Sequence, residues 1–390
     1  MTAVGEQAMP EVQRIAAHSN DEWTPLREVV VGRADDLSAF HFDSSFSTFY
    51  WDSLNHYLRA KAFHRLPDGT HDRPIVPIDR WIVEELNEDI EGLATTLTSL
   101  GVTVHRPSRS VGASAFSTPY WETIQSSPLN VRDQAIVLGD TIIETAPHVR
   151  SWLFENDYLK PVFYRYFEAG SRWLSMPRPS LAAESVDRSY YSLSGTERAA
   201  LSDPDMPAID GLAFEMIFDG AQCIRLGRDV LVNVANRNHE LGLCWLDRTV
   251  EGVRFHRLDA LTDSHMDSMA LPLRPGLWLT RSRQIVDQFP EPFRSWDVLI
   301  PPPMDEGAFP SYERTNVNLA ISSTYIDMNV LSVDETTVIV NSLYLELVRT
   351  LEHAGFTVVP VRHRHRRLFG GGFHCFTLDT VREGTRISYA

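Results

Sequence analysis

Cys375 stands in the stretch FGGGFHCFTLD, three residues after the last of three consecutive glycines. A cysteine on such a loop is a candidate nucleophile. The thiolate is the reactive form, and Gly370, Gly371 and Gly372 let backbone approach a ligand closely. Cys223 and Cys244 sit inside apolar segments and read as small hydrophobes. Polar residues also precede a series of apolar hairpin patterns: Asp133 in NVRDQAIVLG, Asp219 in EMIFDGAQCIRLG, His265 and Asp267 in DSHMDSMALPLRPG, Asn329 in IDMNVLSV. Acidic groups beside a thiol raise its pKa, so they make sense if the substrate is a cation. A guanidinium suits them, being planar, permanently charged and rich in donors that carboxylates bind in pairs. Cys375 would then attack the central carbon, Asp133 and Asp267 would hold the cation, and His265 would protonate the departing amine.

The elements that must position these residues form a repeat. A helical stretch ends near a glycine and runs into a short strand in residues 82–107 (Gly101), 159–177 (Gly170), 241–258 (Gly252) and 342–361 (Gly355). A fifth copy, IVDQFPEPFRSWDVLIPPP, lacks the glycine and turns to strand near Trp296. A strand-turn-strand pattern precedes each copy, at 26–33, 135–147, 223–233, 270–280 and 328–340. Each ββαβ unit is too small to bury its own apolar face, but five around a closed ring would bury all of them. Equivalent positions then meet at the axis. The expected class is therefore α/β, a five-bladed pseudo-symmetric propeller. Residues 1–21 are expected to be a mobile extension and 22–390 a single catalytic domain. The insertion over 38–80 is rich in aromatics and histidine (Phe40, His41, Phe42, Phe46, Phe49, Tyr50, Trp51, His56, Tyr57) and reads equally as a lid or a packed surface loop.

Composition narrows the partners. The 390 residues are 43% hydrophobic and 23% charged, ordinary for a globular chain. With 36 Lys+Arg against 52 Asp+Glu, the net charge of −16 repels phosphate backbones and acidic lipid, so neither nucleic acid nor membrane is an expected partner. Three cysteines in no paired pattern suit a reducing cytoplasm. His363, His365 and His374 lack a carboxylate at diagnostic spacing, so no metal is expected, and no cofactor. The basic run VRHRHRRLF (361–369) reads more readily as a solvated strand edge than as an anion site. In an extended segment His374 would point away from Cys375.

Five motifs in order, EWTPLREVVVG, VRDQAIVLGDTIIE, FDGAQCIRLGRD, HMDSMALPLRPGL and GGGFHCFTLDTVREGTRISY, resemble the amidinotransferases from about residue 22 onward. That group includes glycine amidinotransferase and the inosamine-phosphate amidinotransferases of antibiotic pathways. The resemblance implies the five-bladed α/β-propeller, or pentein, of guanidine-modifying enzymes. It also implies a ping-pong reaction: Cys375 takes the amidino group from arginine, releasing ornithine, and passes it to an acceptor amine. By the same resemblance His265 is the acid/base, Asp219 supports it and contacts the guanidinium, and Asp133 and Asp267 bind the cation. Where the glycine enzyme anchors a carboxylate with arginine, this chain has Gln284, with Arg281 and Arg283 close by. The family has serines in a place similar to Ser322 and Ser323, which read equally as contacts to the amino-acid end of the substrate or as plain loop residues. The acidic charge and apolar helices are compatible with a homodimer. Two other functions follow from the same residues: a hydrolase making citrulline, or a silent binding protein, which intact Cys375, His265 and Asp219 disfavour.

Overall fold

The computed structural model describes residues 15–41, 43, 45–46, 75–109, 114–125, 127–182, 185–186, 214–259, 261, 265–302, 304, 306–317 and 322–389. Five three-stranded sheets share one construction. In four, an antiparallel hairpin is followed by a crossover to a third, parallel strand: Ala135–Leu138, Thr141–Glu144 and Arg172–Ser175; Cys223–Leu226, Asp229–Val234 and Arg254–Asp259; Ala270–Arg274, Leu277–Thr280 and Asp297–Leu299; and Leu331–Ser332, Thr337–Asn341 and Thr357–Val361.

The first sheet departs from the expected local hairpin at 26–33. Leu26–Val31 pairs parallel with Thr103–His105, but its antiparallel neighbour is Thr377–Arg382 from the far end of the chain. The hairpin of this unit is thus assembled from two remote segments.

The crossovers explain the sequence periodicity. In helix Arg80–Ser99 the buried residues Ile82, Leu86, Ile90, Leu93 and Leu97 recur every three to four positions and face the core. Asn156–Glu168, Arg237–Thr249 and Leu345–His353 follow the same plan. Gly101, Gly170, Gly252 and Gly355 all end their crossovers at positive φ, which glycine reaches without a Cβ penalty. The fourth sheet is crossed by the short turns Arg283–Val286 and Phe293–Ser295 instead, in a proline-rich stretch that cannot sustain a helix. The central strands are covered on both faces; every residue of Asp229–Val234 is buried.

Of the extension expected over 1–21, residues 1–14 lie outside the described residues. Residues 15–21 are held instead: Ser19 bridges Gly139, Asp21 bridges Leu226, and Ala17 is buried. Within 38–80, Ala39–His41 pairs with Ile75–Pro77, and Phe40 and Phe46 pack against the core; Phe42, Phe49, Tyr50, Trp51, His56 and Tyr57 lie outside the described residues. Among the described residues no helix is long and apolar enough to cross a membrane.

Candidate active site

A short helical turn stands immediately before the first strand of each hairpin, and each turn delivers one or two polar side chains. Val131–Gln134 carries Asp133. Asp219 caps Gly220–Gln222, and His265 caps Met266–Ser268, which holds Asp267. Asn329 closes Ile326–Met328. Cys375 lies in the turn that leads into Thr377–Arg382. Asp219 shows how such a turn is locked locally: Gln222 Oε1 accepts from the Asp219 amide at 2.9 Å, and the Asp219 side chain returns a bond to the first turn.

The structure brings Cys375, His265, Asp219, Asp133 and Asp267 together, all buried. Cys375 Sγ donates to Asp267 Oδ2 at 3.2 Å. His265 Nε2 donates to Asp219 Oδ2 at 2.9 Å, while its Nδ1 lies 3.7 Å from Asp133 Oδ1. Asn329 organises the loop that carries Cys375. Its Oδ1 accepts the amides of Cys375 (2.9 Å) and Gly372 (3.2 Å), and its Nδ2 donates to the Asp267 carbonyl at 3.2 Å. The glycines divide the work. Gly370 takes φ +68°, whereas a Cβ on Gly371 would stand 2.3 Å from Asn130 Oδ1 and one on Gly372 2.7 Å from Asn329.

Charge in this cluster is set by burial and by close neighbours. Burial, reinforced by Asp267 and Asp133, pushes the Cys375 thiol well above its usual range. Burial also lifts the Asp133 carboxyl, with Asp219 and Asp267 adding to it against His265. Burial works against a charged His265, but Asp133, Asp219 and Asp267 outweigh it and raise the imidazole to about 10. Asp267 stays ionised, held at about 2 because His374, His265 and the Cys375 hydrogen bond overcome burial. These shifts favour a protonated thiol and an imidazolium within the one cluster. Asp133 Oδ1 and Asp267 Oδ1 are buried acceptor atoms with no hydrogen-bond partner.

His374 does not point away. Residues 373–376 form a turn rather than a strand, so its Nδ1 donates to Asp267 Oδ2 at 2.8 Å, the oxygen that Cys375 also uses. Its Nε2 reaches Glu22 at 3.3 Å. Glu22 belongs to a buried ion network beneath the site. There Arg225 joins Glu22 (2.6 Å) and Asp379 (2.5 Å), and Arg132 and Arg382 also hold Asp379, both at 2.5 Å.

On the other flank sequence reasoning missed a histidine pair. His148 donates to Asp219 Oδ2 through Nδ1 at 2.7 Å, and its Nε2 meets His239 Nε2. His239 Nδ1 accepts the Ala235 amide at 3.2 Å, which puts the ring proton on Nε2. The pair therefore passes hydrogen bonds one way, from His239 through His148 to Asp219, and leaves Asp219 ionised for His265. A histidine inside TAPHVRSW or NRNHELG carries no sequence mark of this role.

The remaining expected residues are dispersed. Ser322 is buried with its Oγ unpartnered, and Ser323 Oγ accepts the Tyr325 amide at 3.3 Å. Arg281 lies over the Tyr325 ring at 5.5 Å. Arg283 is engaged away from the cluster, with Asp287 (2.9 Å) and the carbonyls of Arg294 and Trp296. The basic run 361–369 is taken up by acids: Arg364 pairs with Glu85, Glu88 and Asp89, and Arg366 with Asp327.

No protein-family model matches the chain. A putative inosamine-phosphate amidinotransferase 2 of Streptomyces griseus is 34% identical over 373 residues, covering 95% of this chain and 98% of that protein. A solved inosamine-phosphate amidinotransferase from Streptomyces griseus superposes with a TM-score of 0.75 at 31% identity, covering 96% of this chain and 99% of that one. A DDAH from Pseudomonas aeruginosa in complex with citrulline superposes with a TM-score of 0.53 at 12% identity over 91% of this chain and 99% of that one, a likeness of fold alone. With an α/β pentein fold and this likeness along nearly its whole length, the chain belongs to the amidinotransferases, a family of transferases.

Proposed function

We propose that the enzyme moves the amidino group of L-arginine, through a covalent amidino-Cys375 intermediate, to an acceptor amine in specialised-metabolite biosynthesis. The observation that carries this reading is a buried thiol bonded to Asp267 Oδ2 in a cluster where two buried carboxylate oxygens, Asp133 Oδ1 and Asp267 Oδ1, make no hydrogen bond. A guanidinium supplies N–H donors for both oxygens. Its charge also offsets the acids that hold the thiol proton in place, so substrate binding itself favours the thiolate, the thiol proton leaving to solvent as the cation enters. Cys375 Sγ then bonds to the guanidinium carbon, and the C–N bond to the ornithine nitrogen breaks. His265, kept protonated by Asp219 and its acidic neighbours, gives that nitrogen its proton. In the second half the acceptor amine bonds to the amidino carbon, the C–S electron pair returns to sulfur, and His265 takes the surplus proton. Ser322, Ser323 and Arg281 are assigned to the amino-acid end of arginine; Arg283 is set aside by its own contacts.

The five sheets are taken to close as one propeller within residues 22–390. Support comes from contacts between successive turns: the Arg132 amide donates to the Cys375 carbonyl at 3.3 Å, and a Cβ on Gly220 would stand 2.1 Å from the Arg132 carbonyl. Free Cys223, Cys244 and Cys375 suit the cytoplasm.

The test is intact-protein mass spectrometry after incubation with arginine and no acceptor, with ornithine and citrulline assayed together and Cys375→Ala as control. One amidino group on the protein with stoichiometric ornithine is expected, and neither in Cys375→Ala. Catalytic citrulline without adduct would make the enzyme a hydrolase.

A further inference from the structure

A cavity opens beside the nucleophile's loop, and the mechanism above leaves it unused. Its walls are apolar, with Phe40, Phe46, Trp152 and Phe369 among them. Its polar lining is sparse and mostly accepts hydrogen bonds. Asn130 Oδ1 and Ser127 Oγ both line it, both are more than nine-tenths buried, and neither has a partner. Glu155 also lines it, buried, with Oε2 receiving Gln134 Nε2 at 3.0 Å. His41, with Nδ1 engaged by Thr123 Oγ1 at 3.0 Å, and Ser151 are the other polar lining residues. Among the described lining residues there is no lysine or arginine.

Asn130, a lining residue, and the Cys375 side chain both lie against Gly371. The same hypothetical Cβ on Gly371 that meets Asn130 Oδ1 at 2.3 Å stands 3.1 Å from Cys375 Cβ. Asn130, Asp133 and Gln134 share one turn, so the cation-binding acid and the cavity's polar floor are parts of one element.

Such a lining offers carboxylate or phosphate no counter-charge and welcomes N–H donors on an apolar body. We infer that this cavity is the acceptor subsite, and that it takes a primary amine with an apolar face and no carboxylate or phosphate on the end that enters. The inference rests on the amidino-transfer reading. Glu155 and Asn130 receive the amine's N–H groups and hold its nitrogen toward the amidino carbon. As the N–C bond forms the C–S bond breaks, its electron pair returns to Cys375, and the amine's proton leaves through His265.

The test preloads the enzyme with arginine, removes the excess, and mixes the adduct with equal concentrations of cyclohexylamine, glycine or O-phosphoethanolamine. Cyclohexylamine is expected to discharge the adduct at least tenfold faster than the other two. Ser127→Leu, which fills the cavity, and Glu155→Gln, which removes its acid, are each expected to slow that discharge at least tenfold. Calorimetry of cyclohexylamine on arginine-free enzyme supplies a second reading, with binding at least tenfold weaker in both variants. Equal discharge by all three amines, a preference for the phosphate or carboxylate probe, or variants that bind and react like wild type would overturn the subsite. If no adduct forms but cyclohexylamine binds and the variants lose it, the transfer reading fails and the cavity's ligand class stands.

Discussion

Asn329 is the residue whose loss should separate the scaffold of the nucleophile from its chemistry. Truncation in Asn329→Ala removes the acceptor for two buried amides, those of Cys375 and Gly372, and the donor to the Asp267 carbonyl. An unsatisfied buried amide costs about 1–3 kcal/mol and a lost neutral hydrogen bond about 1 kcal/mol, so the variant should lose roughly 3–7 kcal/mol. Unfolding entropy near 2.1 cal/mol/K per residue scales to about 0.8 kcal/mol/K here, so the Tm should fall by about 4–9 °C. Asn329→Asp keeps an acceptor for both amides and should regain more than half of that loss. It also sets a new negative charge beside a thiol already pushed up by burial, Asp267 and Asp133. Each unit added to the thiol pKa costs about tenfold in thiolate, so adduct formation should stay at least about tenfold below wild type. Calorimetric melting and the arginine-adduct rate, measured on the same preparations, check both halves. A Tm loss under about 1 °C in Asn329→Ala, or an Asn329→Asp enzyme as fast as wild type, would refute the reasoning.

Asp219→Asn removes one of the charges that raise His265 to about 10, so its folded pKa should drop by at least about one unit. Because the acid form is the one needed, the alkaline limb of single-turnover ornithine release should move to lower pH; a limb that stays or rises contradicts the assignment. The sign carries into stability. A raised histidine stabilises the fold fully below its ordinary value of 6.5, and the contribution is lost as pH rises toward about 10, so the wild-type Tm should fall more steeply than the variant's across that window. Arg225→Met leaves Glu22 and Asp379 short of their buried counter-charge and should cost about 3–5 kcal/mol in urea unfolding; a loss below about 1 kcal/mol would mean the network relaxes around the gap.

Much of this arrangement was legible before any coordinates. The four crossover glycines marked helix ends because positive φ is a strictly local demand. The polar residues just ahead of each hairpin stood out because the units repeat, so Asp133, Asp219, His265, Asp267, Asn329 and Cys375 could be aligned without knowing their distances. What escaped was nonlocal or depended on a single turn. Leu26–Val31 reads as half of a local hairpin because nothing nearby says its partner is at 377–382. His374 was misdirected by assuming extended backbone, where one turn swings it onto Asp267. His148 and His239 look like any core histidines, since their meaning lies in a contact across 91 residues. Glu155 sits just ahead of helix Asn156–Glu168, where an acidic residue usually means capping in solvent; only packing against 131–134 buries it.

The first sheet also imposes a schedule on synthesis. Thr380 and Glu28, hydrogen-bonded across that sheet, are 352 residues apart. At roughly 5–20 residues per second, the strand Leu26–Val31 waits on the order of 20–70 s on the ribosome for its neighbour. Meanwhile one of its edges is open, and Arg132 and Arg225 lack Asp379. Cys375 arrives on the same late segment that seals the edge and neutralises the arginines. Until that segment is made, the chain has neither Cys375 nor the strand Thr377–Arg382 that pairs with Leu26–Val31.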